Sequence, residues 1–172
     1  ISDESLFMGA VKRANQTGFD KPLVVTSSDH RFLADKQLRD CGMSGQILLE
    51  PTGKNTAPAI IAAAYFSYKA HGDKLLLVMP SDHYIPDHEA FFEMVQAGFA
   101  AAEVGAVVTF GIRPDRPETG YGYIELEGDM TAVSCHVKKF HEKPNLILAK
   151  QMVEAGNYVW NAGIFLFKAS TM

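Results

Sequence analysis

The sequence predicts an α/β fold in which a mainly parallel sheet is flanked by helices. Short apolar runs rich in valine and leucine recur between residues 22 and 112, and each has the length of a buried strand. Segments with apolar residues at helical spacing separate these runs. Strands that alternate with helices are typical of right-handed, parallel α/β sheets.

The first two strand–helix units lie in the N-terminal third of the chain. Apolar side chains at helical spacing predict a helix over residues 4–16, and the run PLVVTS at 22–27 predicts a strand. A second helix is expected over residues 30–41, ended by Gly42. The run QILLE at 46–50 predicts the next strand.

The same alternation continues through the middle of the chain. A helix is expected over residues 57–70, with Asn55 or Thr56 as its N-cap. The remaining elements are a strand, a helix and a strand, expected at 74–80, 89–102 and 106–112.

The pattern changes in the last third of the chain. The segments YGYIELEG (121–128) and AVSCHVKKFHEKP (132–144) alternate in polarity and predict an antiparallel insertion or edge. A helix over 145–155 and a strand-like run, YVWNAGIFLFKAS (158–170), complete the chain. No linker or repeat is evident, so we expect residues 1–172 to belong to one domain.

Composition excludes several classes of function. The chain has 172 residues and a net charge of −4, which argues against the basic surface that nucleic-acid binding needs. No apolar run approaches the length of about 18 residues that indicates a membrane span, and ISDES at the N-terminus predicts no signal peptide. Cys41 and Cys135 lack metal-site spacing and are expected to be buried free thiols, which suits a reducing compartment. We therefore expect a cytoplasmic protein with neither nucleic-acid nor membrane partners.

Polar residues directly after the predicted strands are the first candidates for chemistry, because ligands bind at the carboxyl ends of strands in α/β sheets. Asp82 follows a buried strand and would suit Mg²⁺, although a turn or N-cap role fits its spacing equally well. The nearby His83, Asp87 and His88 lack the spacing of a transition-metal site.

The segment EPTGKNTAP (50–58) follows another strand. It is not a P-loop, because Leu48 stands where the first glycine is required and Asn55 follows the lysine. The segment leads into a helix, whose N-terminal amides favour anions or polar ligand edges. An ordinary connecting loop is the competing interpretation.

Three later motifs have both a binding and a structural interpretation. The glycines of ETGYGYIE, Gly120 and Gly122, allow either close approach of a ligand or a sharp bend. Lys143 could neutralise a phosphate or lie solvated on the surface. The amide of Asn161 could bind sugar hydroxyls, since it both donates and accepts hydrogen bonds, or form part of a turn.

Taken in order, these motifs resemble those of the mannose-1-phosphate guanylyltransferases, which are sugar-phosphate nucleotidyltransferases. The resemblance rests on EPTGKNTAPAI, MPSDH, ETGYGYI, FHEKP and YVWNAGIFLF and extends along essentially the whole chain. It implies a Rossmann-like, mixed and mainly parallel sheet of the nucleotide-diphospho-sugar transferase type.

The resemblance also implies roles for individual residues. Asp82 would bind the divalent metal, and Asp82 and Lys143 would be the catalytic residues, with Lys143 as the phosphate partner. The residues expected to bind the nucleotide are Glu50, Pro51, Asn55 and Thr56. The residues expected to bind the sugar phosphate are Gly122, Glu142, Lys143, Asn161 and Gly163.

The implied reaction converts mannose 1-phosphate and GTP to GDP-mannose and pyrophosphate with Mg²⁺ or another divalent cation. No protein nucleophile is needed, so positioning and charge neutralisation would supply the catalysis. The resemblance allows a homo-oligomer. The alternatives are a transferase for another nucleotide or sugar, a non-catalytic regulatory homologue, and a nucleotide-binding domain with unrelated chemistry.

The sequence departs from the family pattern at both ends. A glycine-rich GGxGxRLxP loop, a second metal-binding aspartate and the isomerase domain of bifunctional relatives are not found in these residues. We therefore expect residues 1–172 to be a partial nucleotidyltransferase domain with little activity by itself.

Overall fold

The structure, a computed structural model, describes residues 4–15, 18–128, 132 and 134–172. Its α-helices are α1 (Leu6–Ala14), α2 (Arg31–Asp40), α3 (Thr56–His71), α4 (His88–Glu103) and α5 (Leu146–Ala155). Its strands are β1 (Leu23–Ser27), β2 (Gln46–Glu50), β3 (Leu75–Val78), β4 (Val108–Ile112), β5 (Tyr123–Glu127), β6 (His136–His141) and β7 (Tyr158–Lys168).

The strands form two sheets. Strands β1 and β2 pair in parallel and make a two-stranded sheet. In the five-stranded sheet, β7 pairs antiparallel with β3, β4 and β5, and β6 pairs antiparallel with β5. The 11-residue strand β7 is therefore the element to which the rest of this sheet is attached.

The predicted mixed α/β class is confirmed, and so is the antiparallel pairing in the last third of the chain. The expectation that the first four strands form one parallel sheet is wrong for β3 and β4, which pair with opposite edges of β7. The direction of β7 could not be predicted because a strand buried on both faces has the same continuous apolar pattern in either direction.

Each predicted helix is present, with ends within two residues of those expected where the ends are described. Side-chain caps explain several of the starts. Ser5 accepts a hydrogen bond from the Met8 amide at the start of α1, and Asn145 accepts one from the Leu148 amide at the start of α5. Such caps contribute about 1 kcal/mol each. Residues 16 and 133, which the sequence placed in a helix and a strand, lie outside the described residues.

Two hydrophobic clusters pack against different parts of β7. One contains Trp160 of β7 and Met152 of α5, and the other contains Phe167 of β7 and Ile60 of α3. Phe167 is fully buried, and burial of such a side chain contributes about 1.5–3 kcal/mol. The two clusters therefore fix β7 against helices at both ends. Among the described residues, no helix combines the length and the apolar character that crossing a bilayer requires.

Two glycine-to-alanine substitutions should change stability in opposite directions. A Cβ on Gly111 of β4 would lie 2.4 Å from Cγ2 of Val159, and so Gly111→Ala should lower the free energy of unfolding by about 1–3 kcal/mol. Gly9 lies inside α1 with open space where a Cβ would be added. Gly9→Ala should therefore raise the free energy of unfolding by about 0.5–1 kcal/mol. Urea unfolding of both variants measures the difference, and equal effects would contradict the β4–β7 contact.

Candidate functional site

The candidate site lies in the gap between two strands that pair with different parts of the same edge of β7. Val78, the last residue of β3, pairs with Phe165, and Tyr123, the first residue of β5, pairs with Trp160. Residues 161–164 therefore lie between the carboxyl end of β3 and the start of β5. We call this region the β7 opening.

Three segments that are distant in sequence meet at the β7 opening. The Asn161 amide donates a 2.8 Å hydrogen bond to the carbonyl oxygen of Gly122. A Cβ on Gly122 would lie 3.3 Å from Oε2 of Glu142, and a Cβ on Gly163 would lie 3.5 Å from Cγ of Pro80. The structure thus brings together four of the five residues predicted to bind the sugar phosphate, next to the loop that contains Asp82.

The side chain of Asn161 is oriented by two hydrogen bonds. Its oxygen accepts from Oγ1 of Thr109 (3.2 Å) and from the Gly163 amide (3.1 Å). The one proton of the Thr109 hydroxyl has the Ile164 carbonyl oxygen, at 3.4 Å, as an alternative acceptor, whereas the Gly163 amide bond fixes which side of the Asn161 amide is the oxygen. The side-chain nitrogen therefore remains as the donor for a ligand. Asn161 therefore offers a ligand hydrogen-bond donors rather than the mixed donor and acceptor expected from its residue type.

The glycines of ETGYGYIE have different roles. A Cβ on Gly122 would lie 2.6 Å from Cζ of Phe140 in β6, so glycine is needed here to let that side chain lie so close. Gly120 belongs to a turn, in which its amide donates to Oε1 of Glu118 at 3.0 Å. This bond, from a backbone amide, lowers the pKa of Glu118 below its ordinary value. The hydroxyl of Tyr123 donates to the Glu118 carbonyl at 2.9 Å and fixes the turn.

Lys143 is exposed at the turn after β6. Its Nζ lies 3.6 Å from Oε1 of Glu142, and both side chains are more than half exposed. An exposed ion pair of this kind contributes little to stability and leaves the ammonium group accessible to a ligand phosphate. Lys143 also has a φ of 42°, a left-handed conformation that is uncommon for a residue other than glycine.

Asp82 is exposed in the loop between β3 and α4. Among the described residues, no group of three or more histidine, cysteine, aspartate or glutamate side chains could hold a metal ion. Asp87, which lies near His83 and His88 in the sequence, caps α4 by accepting from the Ala90 amide at 2.9 Å. A single exposed carboxylate does fit Mg²⁺, which is commonly held by one or two carboxylates together with substrate phosphates.

The predicted nucleotide-binding residues lie at the end of the two-stranded sheet. Glu50 is the last residue of β2 and is half-buried, whereas Pro51, Asn55 and Thr56 are exposed. Thr56 begins α3, and Asn55 occupies the N-cap position without a side-chain capping hydrogen bond. The predicted N-cap position of Asn55 is therefore confirmed, although its side chain makes no capping hydrogen bond and is not used to hold the helix.

The backbone of Asn55 has φ 67° and ψ −172°, in a region occupied almost only by glycine. Among the described residues, Asn55 and Lys143 are the non-glycine residues with positive φ. Both were predicted as site residues from the sequence. Such conformations cost about 1–3 kcal/mol each and concentrate at functional sites.

The sequence did not indicate the role of Thr109. Its hydroxyl lies 3.2 Å from the Asn161 oxygen and helps to orient that amide. A single hydroxyl residue within an apolar strand was the signal in the sequence that could have drawn attention to it. Another addition is a cluster on Trp160, whose ring contacts Tyr121 at 5.2 Å and the guanidinium of Arg116 at 5.2 Å, both measured to the ring centroid. This cluster supports the turn that precedes Gly122.

Comparisons with known proteins identify the family of this chain. The nucleotidyl transferase family matches residues 1–172. Xanthan biosynthesis protein XanB of Xanthomonas campestris pv. campestris (strain B100) is 46% identical over 171 residues, which cover 99% of this chain and 36% of that protein. The mannose-1-phosphate guanylyltransferase of Escherichia coli (strain K12) is 42% identical over 174 residues, with 97% and 36% covered.

A solved structure has the same fold. It is titled mannose-6-phosphate isomerase from Helicobacter pylori and has a TM-score of 0.87 at 36% identity, covering 99% of this chain and 64% of that chain. The chain spans 36% of the length of the two curated relatives. Because the family match extends over all 172 residues, this chain belongs to the nucleotidyl transferase family.

Proposed function

We propose that this chain forms the substrate-binding core of a mannose-1-phosphate guanylyltransferase, which converts mannose 1-phosphate and GTP to GDP-mannose and pyrophosphate. The meeting of Gly122, Asn161, Gly163 and Glu142 beside the Asp82 loop is the observation that carries the proposal. The E. coli relative bears the name of this activity. A cytoplasmic location would place the enzyme with GTP and sugar phosphates.

The proposed residues have complementary chemistry for a sugar phosphate. The Asn161 nitrogen donates to sugar hydroxyls, and the exposed Glu142 carboxylate accepts from them. Lys143 neutralises the phosphate of mannose 1-phosphate. An oxygen of this phosphate attacks the α-phosphorus of GTP, the bond between the α- and β-phosphates breaks, and pyrophosphate leaves.

A divalent cation, with Mg²⁺ as the expected ion, would be held by Asp82 together with phosphate oxygens. When bound, such a cation neutralises charge on the phosphates. The protein's own contribution is mainly to hold the two substrates in line, which explains why no nucleophile is needed among the proposed residues.

The proposed reaction and the role of Asp82 can be tested together. The full-length gene product should release pyrophosphate from GTP, but not from UTP, dTTP or ATP, when mannose 1-phosphate and Mg²⁺ are present. Asp82→Asn removes the charge with little change in shape, and kcat/KM should fall by about 100-fold or more.

Asp87→Asn is the matched control, because it is the same substitution five residues away and asparagine caps a helix as well as aspartate does. It should keep wild-type activity. Turnover with another nucleotide would replace the guanylyl assignment. No turnover with any nucleotide would favour a regulatory homologue, and conversion of mannose 6-phosphate alone would favour the isomerase activity named for the Helicobacter structure.

At Asn55, an effect on nucleotide binding can be separated from the effect of backbone strain. Asn55→Gly should raise the free energy of unfolding by about 1 kcal/mol, because glycine adopts this conformation without strain. The same variant should bind GTP about tenfold more weakly if the side chain contacts the nucleotide. Isothermal titration and urea unfolding measure the two effects, and unchanged GTP affinity would remove Asn55 from the nucleotide site.

Substitution of Thr109 tests how the Asn161 amide is oriented. Thr109→Val keeps the side-chain shape and removes the hydroxyl, which lies within hydrogen-bond distance of the Asn161 oxygen and of the Ile164 carbonyl. The KM for mannose 1-phosphate should rise about tenfold, the equivalent of one lost hydrogen bond of about 1.4 kcal/mol. The dissociation constant for GTP serves as the internal control and should stay constant. A rise in both values would indicate a general structural defect.

A further inference from the structure

Arg13 is a buried cation with few partners. It lies in the last turn of α1 and is 2% exposed, which is unusual for arginine. Its Nε is buried and has no hydrogen-bond partner among the described residues. Burial lowers the pKa of Arg13 below its ordinary value. Within the described part of the chain, no ion pair between Arg13 and a carboxylate offsets this loss of hydration, so an arginine here is a poor choice for stability alone.

The contacts of Arg13 lie in the loop that carries Asp82 and in the helix that follows this loop. Its Nη2 donates to the carbonyl oxygen of His83 at 3.3 Å, one residue after Asp82. Its Cζ lies 5.6 Å from the centroid of the Phe91 ring in the first turn of α4. Arg13 thus connects α1 to the middle of the loop and to the helix that follows it.

We propose that Arg13 is a positioning residue, which holds the His83 carbonyl and thereby fixes the Asp82 carboxylate at the carboxyl end of β3. This inference rests on the metal-binding role proposed for Asp82. A guanidinium group paired with Asp82 itself would compete with a cation. By donating to the neutral carbonyl of the next residue, Arg13 restrains the loop and leaves the carboxylate available.

The loop needs such a restraint. It has no regular secondary structure between Pro80 and the start of α4, and Tyr84 within it is 79% exposed. Few apolar contacts are therefore available to hold the residues around Asp82 in one conformation. A single hydrogen bond from a rigid, buried donor is an effective alternative, because α1 and α4 already fix both sides of the guanidinium.

Hydrogen exchange of the full-length gene product, without substrate or metal, tests the restraint directly. Arg13→Met keeps much of the side-chain volume and removes the donor. Amides of residues 82–85 should exchange about tenfold faster in this variant. Its melting temperature should be unchanged or higher, since apolar replacement of a buried charge is often neutral or stabilising. Arg13→Lys keeps a donor and should show an intermediate exchange rate.

Val11→Ala is the control for a purely structural effect. Val11 is buried on the same helix, so this variant should lower the melting temperature without selectively accelerating exchange in residues 82–85. Unchanged exchange in Arg13→Met would overturn the proposal. Equal acceleration in both variants would also overturn it, because it would assign the effect to packing of α1.

The Mg²⁺ dependence of pyrophosphate release provides the functional measurement. In Arg13→Met, the Mg²⁺ concentration for half-maximal activity should rise about tenfold, whereas the KM for GTP at saturating Mg²⁺ should stay within about twofold. An unchanged Mg²⁺ dependence would overturn the positioning role. If the wild-type protein released no pyrophosphate, the proposed function would fail, and the exchange measurement would still decide whether Arg13 restrains the loop.

Discussion

The candidate site depends on the backbone pairing of one strand. Strand β7 pairs with β3 and β5 along one edge and with β4 along the other. Because β3 and β5 pair with different parts of the same edge, they leave residues 161–164 between them. The opening is thus a consequence of register, and any change in that register would move Asn161 relative to Gly122 and Pro80.

In the part of the chain that the structure describes, the non-glycine residues with positive φ are both residues proposed to contact substrates. Asn55 and Lys143 adopt positive φ values at turns that follow β2 and β6. Strained conformations persist only when the surrounding structure imposes them, and here the adjoining strands do so. The cost is acceptable if the side chains gain a position that an unstrained backbone would not give, as binding of two anionic substrates in line requires.

The sequence predicted the elements well because each has a local signal. Apolar spacing and caps such as Ser5 and Asn145 locate the helices, and buried strands appear as short apolar runs. It could not predict that β7 separates β3 from β4, since strand order is set by contacts across the fold rather than by local pattern. For the same reason, the sequence grouped Gly122, Glu142 and Asn161 by resemblance alone, whereas their proximity required the pairing of β5 with β6 and β7.

Arg13 shows a second limit of local patterns. It interrupts the apolar face of α1, three residues after the buried Ala10, and this interruption was visible in the sequence. Helical spacing alone interprets such a residue as solvated, because the partners that bury it come from residues 83 and 91. A charged residue on the apolar face of an amphipathic helix is therefore informative about tertiary contacts.

The hydrophobic core affects the candidate site because it holds strand β7 in place. The two hydrophobic clusters hold β7 on either side of the opening, through Trp160 at one end and Phe167 at the other. A cavity in either cluster would let β7 shift relative to β3 or β5, and a displacement of about 1 Å can reduce catalysis by about 100-fold. Under the proposed function, core packing would thus be part of substrate positioning, because the same strand that fills the core carries Asn161, a proposed ligand contact.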